Sequence, residues 1–106
     1  MRKYDVHISV EAFEDLVRIR DYIVEVYDDL VSANRIVEKA LNKCQKLAYF
    51  PKRNKSSLVI SGVEVFQVHF SGYKILYYIN DGDGTVNVLA IINSRRDIRK
   101  VMSGRS

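Results

Sequence analysis

Cysteine is almost missing from this 106-residue chain. The one thiol, Cys44, has no partner for an intramolecular disulfide, which fits a reducing compartment such as the cytoplasm. No apolar run reaches the 18 or so residues that a membrane span needs, so no membrane role is expected. The opening MRKYDVHISV carries charge but lacks the apolar core and small-residue cleavage site of a secretion signal. Histidine is scarce as well. His7 and His69 stand far apart, with no Cys, His or carboxylate at ligand spacing, so no metal site is expected. Gly82 and Gly84 lead into a strand and not into a helix, so they do not cradle a phosphate, and no cofactor is implied. Repeats, linkers and low-complexity segments are absent, and the length suits one domain, residues 1–106.

What is present is a hydrophobic fraction of 47%, enough for one two-layer core. The formal net charge is +4, but its distribution says more. Residues 10–31 hold seven acids against Arg18 and Arg20, whereas residues 32–106 hold thirteen bases against five acids. An acidic first helix and a basic remainder suggest a polyanionic target or an acidic protein partner. The same mixture of signs also serves plain solubility.

The pattern of apolar residues divides the chain. Residues 3–8 read as a short strand with Tyr4, Val6 and Ile8 on one face. Ser9 is placed as an N-cap, and Glu11, Glu14 and Asp15 suit the first turns of a helix. Ala12, Leu16, Ile19, Ile23 and Tyr27 form one stripe, which predicts a helix over Val10–Tyr27. Ser32 is a second N-cap candidate after Asp28-Asp29-Leu30-Val31. Ala33, Ile36, Ala40, Cys44, Leu47 and Ala48 make a second stripe, ending near Tyr49 because Pro51 disfavours helix at Phe50. Lys52–Ile60 reads as a basic loop, with an optional edge strand at Ser57–Ile60. Three antiparallel strands follow: Val63–Phe70, Tyr73–Asn80 and Thr85–Ile92. Ser71-Gly72 and Asp81-Gly82-Asp83-Gly84 supply the turns. Val86, Val88, Ala90 and Ile92 are expected on one face of the last strand. A short helix over Asp97–Met102 closes the chain, and the tail bases Arg99, Lys100 and Arg105 are expected in solvent. The fold class is α+β, in the order β-α-α-β-β-β, with the sheet packed against a helical hairpin.

At this point the chain resembles toxins of the RelE/ParE superfamily of type II toxin–antitoxin systems. The match rests on Ser9-x-Glu11-Ala12-x-x-Asp15-Leu16-x-x-Ile19-x-x-Tyr22-Ile23 and on Leu47-Ala48-Tyr49-Phe50-Pro51. It continues in Ser71-Gly72-Tyr73-Lys74-Ile75-Leu76-Tyr77-Tyr78-Ile79 and closes with Ala90-Ile91-Ile92-Asn93-Ser94-Arg95-Arg96-Asp97. The resemblance covers nearly the whole chain, and Phe50-Pro51 and Arg95-Arg96-Asp97 look more like the ParE branch. It implies a growth-inhibiting toxin of the kind linked to plasmid stabilisation, neutralised by a cognate antitoxin. ParE-like members poison DNA gyrase, whereas RelE-like members cut messenger RNA in the ribosomal A site. Operator DNA would be reached only through the antitoxin, since no helix-turn-helix is evident here.

Ribonucleolysis would need a base for the 2′-hydroxyl, cations for the phosphate and an acid for the leaving oxygen. By resemblance the catalytic cations would be Lys74 and Arg96, with Lys52 and Lys55 as weaker candidates. Lysine at position 74, in place of the family's arginine, keeps charge but loses the bidentate fork. Met102 stands where the nuclease branch has a functional tyrosine, and it cannot exchange a proton. For a non-catalytic toxin, the expected target contacts are Arg95, Arg96, Arg99 and Lys100. Tyr77 and Tyr78 are expected in the core with satisfied hydroxyls, and Cys44 as a small core residue. Val17, Val24 and Leu58 are candidate landing points for the antitoxin.

Overall fold

A computed structural model describes residues 3–105. Strand β1 covers Asp5–Ile8, helix α1 Val10–Tyr27 and helix α2 Leu30–Lys46. A 3-10 turn at Pro51–Arg53 leads into β2 (Lys55–Ile60), β3 (Val63–Phe70), β4 (Tyr73–Asn80), β5 (Thr85–Asn93) and helix α3 (Ile98–Ser103). The five strands form one sheet in the order β1-β5-β4-β3-β2. β1 lies parallel to β5 and the remaining pairs are antiparallel. The α+β class holds, with one strand more than the sequence reading required. No helix among the described residues is long and apolar enough to cross a membrane.

That extra strand is β2. The stretch read as a basic loop pairs with β3 through a two-residue turn at Ser61 (φ 51°) and Gly62 (φ 80°). The β3–β4 turn repeats it at Ser71 (φ 46°) and Gly72 (φ 82°). Two successive positive φ angles match the twist of the flanking strands.

The helical hairpin is tighter than its sequence suggests. Ser9 does cap α1, its Oγ accepting from the Ala12 amide at 3.1 Å. Asp28, in the left-handed region, ends α1, and Asp29, not Ser32, caps α2. Asp29 accepts from both the amide (2.9 Å) and the hydroxyl (2.6 Å) of Ser32. The Ser32 hydroxyl thereby holds its carboxylate below the usual range. α2 stops at Lys46, short of Tyr49, because the chain tightens into i→i+3 bonds from Leu47 to Tyr49. That frees the Ala48 carbonyl to accept from the Tyr4 amide at 2.8 Å. Tyr27, expected in the stripe of α1, is instead exposed against Tyr22.

The sheet buries both faces. On one, α1 and α2 cover a cluster that includes Leu16, Cys44, Phe66, Ile75, Tyr77 and Val88. On the other, α3 covers Val65, Leu76, Ala90 and Ile92 with Val101. The last strand therefore does not keep one apolar face. A bulge sets Leu76 opposite Ala90 but Tyr77 opposite Val88, so Leu89 is the extra residue. Ala90 and Ile92 are thereby turned to the side away from Val86 and Val88, because one inserted residue inverts the alternation.

Candidate functional site

The α3 side of the sheet carries most of the predicted cations. Alternation from Val65 and Leu76 places Gln67, His69 and Lys74 on that side. Lys55 is in register with Gln67, and His69 with Lys74, so Lys55 shares the face. Lys74 itself is buried. Its Nζ donates to the Arg96 main-chain carbonyl at 2.8 Å. Lys74 and Arg96, the two cations named by the resemblance, thus touch only through the backbone of Arg96. The ammonium braces the turn after β5.

That turn presents the other cations. The Arg95 amide donates to Asn93 Oδ1 at 3.0 Å, and the Arg96 amide to the Asn93 carbonyl at 3.0 Å. Asp97 caps α3, its Oδ1 accepting from the Arg99 amide at 2.9 Å. Arg95, Arg96, Arg99 and Lys100 all point their exposed surface to solvent. Arg96 also borders a groove of about 400 Å³ with Arg18, Tyr22 and Tyr73. Lys52 lies apart from this group. It pairs with Asp81 at 2.8 Å and borders a different groove, of about 740 Å³, with Asn54 and Tyr78.

The tyrosine and methionine positions complete the site. Tyr77 lies on the helix side of the sheet, fully buried. Its hydroxyl donates to the Pro51 carbonyl at 2.6 Å and accepts from Asn54 Nδ2 at 2.9 Å. Burial pushes the Tyr77 phenol up, and the Asn54 hydrogen bond opposes it. Met102 packs on the apolar cluster beneath α3. Among the described residues, no group of three His, Cys, Asp or Glu side chains gathers to hold a metal ion.

Two residues stand out whose partners the sequence did not show. Asp15, read as an acid of the first helical turns, is buried. Its Oδ2 accepts from the Ile91 amide at 2.9 Å. Arg105, expected in solvent, donates through Nη2 to both Asp15 oxygens at 2.7 and 2.9 Å. It also donates through Nη1 to the Leu89 carbonyl at 2.7 Å. Arg18 adds a third cationic contact to Asp15 at 2.6 Å. A carboxylate inside the arc of the otherwise apolar buried stripe was the only sequence signal for this.

The toxin resemblance is carried by the sequence itself. A sequence model for the ParE toxin of the type II toxin–antitoxin system parDE matches residues 6–98. The chain belongs to the ParE toxin family. The matched stretch includes Lys74, Arg95 and Arg96 and stops short of Arg99, Lys100 and Arg105. Solved structures share the fold. The chromosomal ParDE system of P. aeruginosa aligns at a TM-score of 0.70 and 14% identity, over 86% of this chain and 96% of that one. The RelBE2 toxin–antitoxin complex of Mycobacterium tuberculosis aligns at 0.58 and 24% identity, over 86% and 98%. The isolated RelE toxin of E. coli aligns at 0.55 and 12%, over 96% of each chain. No curated protein sequence matches the chain significantly. The fold is common to ParE and RelE structures, so the branch must be argued from the family match and the site residues.

Proposed function

We propose that this ParE-family chain is a growth-inhibiting toxin that acts on DNA gyrase without cutting RNA, and that a cognate antitoxin neutralises it. The observation that carries the reading is the state of Lys74. A cation that neutralises a scissile phosphate must reach it, and the Lys74 ammonium is buried and engaged with a carbonyl. Met102, packed in an apolar cluster, offers no proton at the position of the nuclease tyrosine. Arg95, Arg96, Arg99 and Lys100 are exposed and available to a macromolecular surface. The antitoxin would cover exposed apolar positions of α1, where Val17 is 56% and Phe13 49% exposed. Val24 and Leu58 are half-buried and contribute less. Operator sequence would be read by the antitoxin.

Expressing the chain alone tests this. Growth, plasmid supercoiling and transcript integrity are followed together. Arrest with relaxed plasmid and intact transcripts is the expected outcome. Lys55, His69 and Lys74 do share one sheet face, and this favours a second reading, a ribosome-dependent endoribonuclease. A-site cuts that vanish in Arg96→Ala would establish that reading and remove the first. Unimpeded growth would leave a non-toxic binding module with the toxin fold.

A further inference from the structure

Several cations outside α2 are engaged with a protein group. Lys52 pairs with Asp81, Arg18 and Arg105 with Asp15, Arg20 with Asp21, and Lys74 with a carbonyl. Helix α2 is different. Lys39, Lys43 and Lys46 recur at helical spacing on one face, and none of them is ion-paired among the described residues. They border a groove of about 380 Å³ whose other walls are Asn42, His69, Phe70 and Ser71. Its lining holds no carboxylate. At a rise of about 1.5 Å per residue the three ammonium groups span about 10 Å along the helix. That equals three axial steps of about 3.4 Å each, from the first to the fourth of successive phosphates on one strand of a duplex.

The groove does not end at α2. Its Ser71 belongs to the β3–β4 turn, and the next residue, Gly72, accepts from the Ser94 amide at 3.0 Å. Exposed Arg95 and Arg96 follow directly. Two basic regions far apart in sequence therefore meet across one turn at the same end of the sheet. We infer that this track, from Lys39 through the Ser71-Gly72 turn to Arg95 and Arg96, binds the phosphodiester backbone of nucleic acid without reading sequence. Lysine is a point charge that suits phosphate neutralisation and carries little base specificity. The inference rests on charge and geometry, and it stands whichever macromolecule the toxin inhibits.

Fluorescence anisotropy on the purified chain tests it, with a labelled 20-bp DNA duplex and a labelled 20-nucleotide single-stranded RNA as probes. Titrations run from about 50 to 250 mM salt, because each phosphate neutralised adds about 0.9 to the salt slope on a duplex and about 0.7 on a single strand. The triple variant Lys39→Gln/Lys43→Gln/Lys46→Gln should weaken binding at least about tenfold at low salt and reduce the duplex slope by about 2.7. The triple Lys→Arg variant should keep the wild-type slope, and circular dichroism should show both variants folded. A loss on the duplex arm identifies DNA as the source of the phosphates, and a loss on the RNA arm alone identifies RNA. No binding to either probe, or a Gln variant with an unchanged slope, overturns the inference.

Discussion

Ser57 occupies the irregular stretch of β2, where the register with β3 shifts between Ser56 and Leu58. Its Oγ is buried with no hydrogen-bond partner among the described residues. A hydroxyl withdrawn from water without compensation costs about 1–3 kcal/mol. Ser57→Ala is therefore expected to stabilise the fold by about 1 kcal/mol, read as a raised urea midpoint with an unchanged m-value. Tyr77 is the opposite case, since its hydroxyl is equally enclosed but bonded on both sides. Tyr77→Phe strands the Pro51 carbonyl and should cost about 1–2 kcal/mol in the same assay. Both effects depend on neighbours from other elements. A sequence shows that a hydroxyl lies on a strand; it does not show whether a distant carbonyl will meet it.

At the scale of elements, the informative feature is the outer edge of β5. β1 pairs with residues 85–88 only. Beyond that point no strand meets Leu89 O or Ile91 N, and only a long bond from the Ser9 hydroxyl, at 3.4 Å, would reach Leu89 O. Arg105 donates to the first and Asp15 accepts from the second, and the two side chains bond each other. An ion pair thus continues the strand where the chain provides none, and it fastens α1, β5 and the segment after α3 together. Asp15→Ala leaves the Ile91 amide without a partner and the largely enclosed Arg105 guanidinium with only the Leu89 carbonyl, and should cost about 3 kcal/mol. Arg105→Ala should cost less, because Arg18 still faces Asp15. The double variant should cost less than the sum of the two, since they share one interaction. The helices, four of the strands and both core stripes apart from Tyr27 were legible because periodicity is local. β2 was partly legible, since Ser61-Gly62 repeats the dipeptide that marked the next turn. The edge clamp was not, because its residues stand 90 positions apart and each, read locally, looks like a surface charge. The bulge at Leu89 was hidden too, as an uninterrupted apolar run carries no mark of which residue is unpaired.

For the molecule as a whole, two buried acids and one half-buried acid shape the response to alkali. Burial pushes the Cys44 thiol from an ordinary 9.0 up to about 12. It also pushes Tyr73 and Tyr77 above their usual 10.0. Each group stays protonated longer in the folded chain than in the unfolded one. Their contribution is thus intact below the unfolded values and declines as pH rises from about 9 toward 12, by up to about 1.4 kcal/mol per pH unit for enclosed Cys44 and Tyr77 and by less for Tyr73, which solvent screens. Urea unfolding at pH 8, 9.5 and 11 should show that decline, and Cys44→Ala should make it shallower. The same burial predicts that native Cys44 resists alkylation at neutral pH.

The parallel pairing of β1 with β5 has a consequence for synthesis. The first strand made must wait for the last before it has a neighbour, so the loop to be closed is nearly the whole chain. Until residues 85–105 emerge from the ribosome, the helical hairpin has no complete sheet to cover and the Asp15 carboxylate has no guanidinium to meet. A nascent copy therefore stays unassembled until β5 has been made. Whatever binds the finished sheet has nothing complete to bind before β5 is in place.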